Sequence, residues 1–268
     1  MTRRIGHVKR LVSKIGYALK SVIGDIRIEN KITNIATSDA DLFEEEKTEQ
    51  TLAKKEPVEI KIHNPIYEYA HGKKFKNNPS WIVIHYTGCA NVNAKLMCKA
   101  MKNNTSASSH FYIDEKDIYA AVPLKYIAWH VADGKARQPK IGKAMSLEEL
   151  ANYKAIDWRY DLAAKSHIKW INDGCDFNGN SVSISVDMCV KKKSTKTVKA
   201  TDEDWYFEDS AVENTAKLVA YLANQYNIDS SHIITHCMAT GKLCPQPFVW
   251  PPEEGDKKWA EFINKVNH

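Results

Sequence analysis

His85, His236 and Cys244 are side chains of the types that hold zinc, and each stands at the end of an apolar run or in a loop beside one. The first lies in Trp81-Ile-Val-Ile-His-Tyr-Thr-Gly88, which reads as a buried strand delivering an imidazole to its carboxyl end. The other two lie in Thr235-His-Cys-Met-Ala-Thr-Gly-Lys-Leu-Cys-Pro245, where a loop turning at Gly241 can bring both to one ion. Two imidazoles and one thiolate leave the fourth position of a tetrahedral zinc open to water, which suits hydrolysis rather than a structural role. Cys237 is a competing thiol, but neighbours on a continuing strand would point to opposite faces.

The elements that must position these residues follow from periodicity. Strands are expected over 81–86, 110–114, 117–122, 182–190 and 232–236, with helices over 93–102, 210–226 and 256–266. The 210–226 helix should bury Val212, Ala216, Val219, Leu222 and Tyr226, and the last should bury Trp259, Phe262, Ile263 and Val266. Ser146 with Glu149 and Ser210 with Glu213 have the spacing of capping boxes. Strands alternating with helices predict the α/β class, a mixed central sheet flanked by helices. Residues 135–180 read as an insertion with a helix of its own, long for a connection and able to cover a groove.

Residues 1–57 read as an extension to a domain spanning 58–268. Val8, Leu11, Val12, Ile15, Leu19, Val22 and Ile23 recur near helical spacing, with Lys9, Arg10, Lys14 and Lys20 elsewhere on the wheel. Two readings of this basic amphipathic helix fit: it packs on its own domain or a partner, or it docks on an anionic membrane surface through residues 8–23. Residues 38–56 are charged, lack apolar periodicity and read as a linker.

The 268 residues are 43% hydrophobic, enough for a sizeable core, and carry a net charge of +5 that suits an anionic polymer. The positive charge is scattered and no nucleic-acid-reading motif is present, so nucleic acid is not expected as a partner. Six cysteines without regular spacing are not a disulfide framework, and a reducing site of synthesis is the simpler expectation. No run approaches the ~20 apolar residues of a membrane span, nor does the start have the ~7 to 15 of a secretory leader.

Five motifs in order, Trp81 to Gly88, Ser109-His-Phe-Tyr-Ile-Asp114, Ala128-Trp-His-Val-Ala-Asp-Gly134, Val186-Asp-Met-Cys189 and His236 to Pro245, resemble the type 2 N-acetylmuramoyl-L-alanine amidases. These are the zinc amidases of phage lysins and bacterial autolysins, related more distantly to peptidoglycan recognition proteins. The resemblance covers roughly residues 60–265. It implies zinc on His85, His236 and Cys244, and a Lys242 whose charge stabilises the oxyanion formed when water attacks an amide. It sets Asp187 where one subgroup carries the glutamate that moves the proton; the side chain here is one methylene shorter. Another subgroup uses a tyrosine where this chain has Ser109, which cannot substitute and puts more weight on Asp187.

His130 falls in a segment that lines the substrate groove in the resembling proteins; substrate contact, metal ligation and support from behind the metal all remain open for it. Trp129 and Tyr86 are candidates for the cleft wall, and Asn180, Ser183 and Ser185 for the shape of the groove, whereas His110 reads as structural. The resemblance implies hydrolysis of the bond between N-acetylmuramic acid and L-alanine in peptidoglycan, with Zn2+ as cofactor and no protein partner named. One alternative is a peptidoglycan-binding module of weak or lost activity, and another a protein whose main functional part is the amino-terminal anchor. The expected location is synthesis in the cytoplasm without a signal peptide, then action on the wall after holin-type or dedicated release.

Overall fold

The computed structural model describes residues 61–132, 146 and 179–268. The amphipathic segment 8–23, the linker, Glu149 of the first capping box and all of the 135–180 insertion except Ser146, Gly179 and Asn180 lie outside the described residues. Six strands form one sheet: β1 (Ile62–His63), β2 (Trp81–Tyr86), β3 (Phe111–Ile113), β4 (Ile118–Ala120), β5 (Ser183–Met188) and β8 (Ile233–Thr235). Their order is β1-β4-β3-β5-β2-β8. All neighbours run parallel except β3 and β4, which form an antiparallel pair, so the sheet is mixed as expected. A separate hairpin joins β6 (Lys191–Lys192) to β7 (Trp205–Tyr206).

The period of two along each strand separates two faces. Ile82, Ile84, Phe111, Ile113, Ile184, Val186 and Met188 join one apolar cluster with residues of α3 (Asp209–Tyr226) and α5 (Pro252–Asn267). The opposite face carries His85, Tyr112, Ser183, Ser185 and Asp187. Beside it, α1 (Ala94–Met101) buries Ala94, Met97 and Cys98 against the Tyr112 and Tyr119 side of β3 and β4. Asn93 caps α1 by accepting from Leu96 N at 2.9 Å, and Asp114 takes the Ala94 N–H at 2.8 Å, so the helix start is tied to the end of β3.

Several boundaries differ from those periodicity predicts. The helix α3 opens one residue earlier, after Glu208, which supplies no side-chain cap; Ser210 therefore sits inside the first turn and cannot form the box with Glu213. Within α3, Ala216, Val219 and Leu222 are buried as expected, with Leu218 added, while Val212 and Tyr226 pack only partly. In α5, Phe262 and Val266 are buried and Trp259 and Ile263 partly so, and the helix starts earlier, with Pro252 in its first turn. No disulfide joins any two of the five cysteines among the described residues. No described helix is long and apolar enough to cross a membrane.

A close approach holds the carboxyl-terminal helix to the chain just beyond Cys244. A Cβ built on Gly255 would stand 2.6 Å from Val249 C and 2.7 Å from its Cα and N, all backbone atoms that cannot swing aside. Gly255→Ala is therefore expected to lower the thermal midpoint, although helix propensity alone favours alanine by about 1 kcal/mol. A thermal melt of the variant at or above the wild-type midpoint contradicts this packing.

Candidate metal centre

The carboxyl ends of β2, β5 and β8 converge on the polar side of the sheet. His85 is the fifth residue of β2, and register places it beside Asp187 of β5, which in turn lies beside Tyr112 of β3. On the other side Ile84 pairs with Thr235, the last residue of β8. The chain then leaves the strand: the Thr235 hydroxyl accepts from Met238 N at 3.0 Å and caps a short helix, α4 (His236–Thr240). His236 thus opens a helix instead of ending a strand. Cys237, expected to point away from His236 on a continuing strand, instead follows it in that helix and is fully buried.

Gly241 ends α4 in the left-handed region at φ 79°, a conformation open to glycine at no steric cost, and its N–H bonds the Cys237 carbonyl at 2.7 Å. The loop then returns far enough for the Cys237 N–H to reach the Cys244 carbonyl at 2.7 Å. That bond holds the backbone of Cys244 against the helix that begins with His236. One ligand atom each from His85, His236 and Cys244 lie within 4.8 Å of one another, and all three residues are buried.

These donors fit a zinc ion. Cys244 Sγ is 3.8 Å from His85 Nδ1, close to the roughly 3.6 Å that tetrahedral Zn–S and Zn–N bonds require. His236 Nδ1 is buried without a hydrogen-bond partner, an arrangement that costs free energy unless another group takes its lone pair. Burial, then the neighbouring His236 and Lys242, push the His85 imidazole well below its usual pKa; burial, then Lys242 and His130, do the same to His236. Both rings are therefore neutral and keep a lone pair for a metal. Burial drives the Cys244 thiol up to about 12, against the pull of Lys242 and of a backbone bond to Tyr86. Its proton leaves readily only when a cation replaces it, which is the usual coupling of metal uptake to proton release.

The trio lies in a cleft of about 290 Å³ that Tyr86, Tyr112, Trp129, His130, Asp187 and Lys242 also line. The candidate ligands, Asp187, Lys242, His130, Trp129 and Tyr86 therefore come together, whereas Asn180, Ser183 and Ser185, the candidates for the shape of the groove, do not line it. Tyr86 is held edge-on by Trp205 at 5.9 Å between centroids, and the Trp129 N–H donates to Ser108 Oγ at 3.0 Å. Lys242 is exposed at the rim. His130 lines the cleft with both ring nitrogens engaged inside the protein, Nδ1 with His85 Nε2 at 3.0 Å and Nε2 with Ser183 Oγ at 3.2 Å. It has no nitrogen left for a substrate.

Asp187 does not stand alone. Ser185 Oγ donates to its Oδ2 at 3.1 Å and lies 2.9 Å from Ser109 Oγ, so a pair of buried hydroxyls leads to the carboxylate. Ser109 reaches the site by this route and not as a proton-transfer group. His110 is satisfied by Tyr126 O and Ser185 N, both at 2.9 Å, as befits a structural residue. Tyr112 escaped the sequence reading because its place beside Asp187 depends on the β3–β5 register, which strand alternation cannot supply.

The sheet and cleft define an α/β protein with a His-His-Cys group that could hold a metal ion. A profile described as N-acetylmuramoyl-L-alanine amidase matches residues 75–247, and the chain belongs to that family. It is 26% identical over 175 residues to N-acetylmuramoyl-L-alanine amidase CwlL of Bacillus licheniformis, covering 63% of this chain and 36% of that protein. Against amidase BlyA of Bacillus subtilis (strain 168) the identity is also 26%, over 187 residues, with 69% and 40% covered. The chain thus spans less than half the length of these two relatives. A solved mutant endolysin from Bacillus subtilis aligns over 78% of this chain and 99% of its own, at 21% identity and a TM-score of 0.48.

Burial raises the Asp187 pKa from 3.8 to about 6, against the pull of the Ser109 and Ser185 hydroxyls and of Lys242. A carboxyl raised on folding favours the native state while protonated, and that contribution is lost as pH climbs through the folded value. Asp187→Asn, studied in chelated protein, should match wild type near pH 4 and gain on it up to about pH 6. Above that it should keep a constant advantage of at most about 3 kcal/mol, reduced by the solvent that reaches the cleft. Thermal melts across that range measure it, and a stability difference that does not change with pH would contradict it.

Proposed function

We propose that this chain hydrolyses the amide between the lactyl group of N-acetylmuramic acid and the L-alanine that begins the peptidoglycan stem peptide, with zinc held by His85, His236 and Cys244. The observation that carries the reading is the meeting of those three donors within 4.8 Å on the floor of an open cleft. Membership of the amidase family supports the choice of bond. When bound, zinc supplies Lewis acidity that makes water a nucleophile at neutral pH.

The chain's own groups account for the remaining chemistry. Asp187, with a pKa lifted to about 6, is matched to accept a proton from the attacking water near neutral pH and return it to the departing amine. Lys242 brings positive charge to the rim, where the negative oxygen of the tetrahedral intermediate would gather it. Trp129 and Tyr86 offer aromatic walls against which sugar or peptide can lie. In this reading residues 58–268 carry the chemistry, and residues 1–57 tether the domain to an anionic surface through 8–23.

Purified wall incubated with the full-length protein should release stem peptides with a free L-alanine amino group, identified by mass spectrometry. Chelation, His85→Ala and Cys244→Ala should each abolish release, and Asp187→Asn should slow it by on the order of 100-fold or more. Full activity after chelation refutes the metal reading. Wall binding without amine release would instead favour a binding module that has lost catalysis.

Deleting residues 1–57 should leave hydrolysis of soluble muropeptides intact while reducing sedimentation with anionic vesicles. Loss of hydrolysis in a deleted protein that still melts cooperatively would show that the extension is more than a tether.

A further inference from the structure

We infer that His130 is a positioning residue: through Ser183 it locks His85 in the tautomer whose Nδ1 lone pair faces Cys244 and His236. The inference rests on the zinc reading above and assigns a role to groups that this reading does not use.

The direction of the hydrogen bonds follows from counting protons. Ser183 Oγ bonds the Gly179 carbonyl oxygen, which can only accept, so the single hydroxyl proton of Ser183 is spent there. Oγ must then accept from His130 Nε2, 3.2 Å away. A neutral imidazole that donates through Nε2 has a bare Nδ1. The bare Nδ1 is 3.0 Å from His85 Nε2, which must therefore be the protonated nitrogen. His85 is left with a bare Nδ1, the atom 3.8 Å from Cys244 Sγ. A backbone carbonyl thus sets the tautomer of a metal ligand two side chains away.

The relay is also held mechanically. Asn180 Oδ1 accepts from both His130 N and Val131 N at 2.9 Å, and Asn180 N donates to Ala132 O at 3.1 Å. Ala132 sits at φ 52°, in the left-handed region that a residue with a Cβ seldom occupies, so the turn following His130 is one that its surroundings must maintain. Gly179 and Asn180 of the short helix α2 (Gly179–Val182) and Ser183, the first residue of β5, lie within five residues, so one short stretch both clamps the His130 backbone and orients its ring. Partners of this kind fix ring orientation and raise ligand basicity, and their loss typically weakens metal binding about 10- to 100-fold.

Long-range proton–nitrogen correlation spectra of the metal-free, full-length wild type test the tautomer directly. They should show His85 protonated at Nε2 and bare at Nδ1, and the reverse assignment overturns the inference without any variant being made. Zinc affinity, measured by competition with a chromophoric chelator, gives the second readout. His130→Ala should bind zinc about 10- to 100-fold more weakly. His130→Asn, whose amide oxygen can occupy the place of Nδ1 and accept the same proton, should recover most of that loss. An alanine variant as tight as wild type, or an asparagine variant as weak as alanine, overturns the relay. Failure of wild type itself to take up zinc overturns the metal reading along with it, and so the two failures are distinguishable.

Discussion

The parallel pairing of β2 with β5 on one side and β8 on the other places Ile84 beside both Val186 and Thr235, and His85 beside Asp187. The cleft depends on that register. A slip of one residue in β2 would turn His85 into the apolar layer under α3 and α5, and bring an isoleucine to the metal side. The register is well protected, because Ile82 and Ile84 of β2 are fully buried on the helix face and would leave it together.

The opposite face bears the cost of function. Ser183, Ser185 and His110 are buried to within 0% exposure, and His85 and His236 remain only 4% and 6% exposed. Polar groups at such depth are tolerated only when hydrogen-bonded, and here the bonds form ordered chains: Ser109 to Ser185 to Asp187, and Gly179 to Ser183 to His130 to His85. Each chain ends on a residue assigned to chemistry. His236 Nδ1, one of the buried side-chain atoms left without a hydrogen bond, belongs to the trio in which a metal would take the lone pair.

The electrostatics of the pocket follow from its dryness. Desolvation is the largest influence on every shifted group there; it keeps the imidazoles neutral, holds the Cys244 proton and lifts Asp187 toward neutrality. Lys242 works against burial on the two acids and with it on the two imidazoles, since its charge favours anions and opposes cations nearby. One exposed lysine at the rim therefore biases His85, His236, Cys244 and Asp187 toward the states that metal binding and proton transfer require.

Much of this was legible from residue order. His85, His236 and Cys244 could be read as a hydrolytic zinc site because two imidazoles and a thiolate leave a fourth position for water, whereas Asp187 and Lys242 were picked out only by the resemblance of their motifs to the type 2 amidases; the alternation of Ser183 to Met188 with β-branched neighbours marked a strand. Local patterns also located the sheet and its helices, since periodicity is a property of consecutive residues. The helix at His236, the early start of α3 and the partnership of Tyr112 with Asp187 were hidden, because caps and register depend on what the rest of the chain offers each backbone group. The use of His130 was decided the same way. Its sequence neighbours allow a substrate contact, but packing brings Ser183 from 53 positions away and His85 from 45, and those two encounters occupy both nitrogens of the ring.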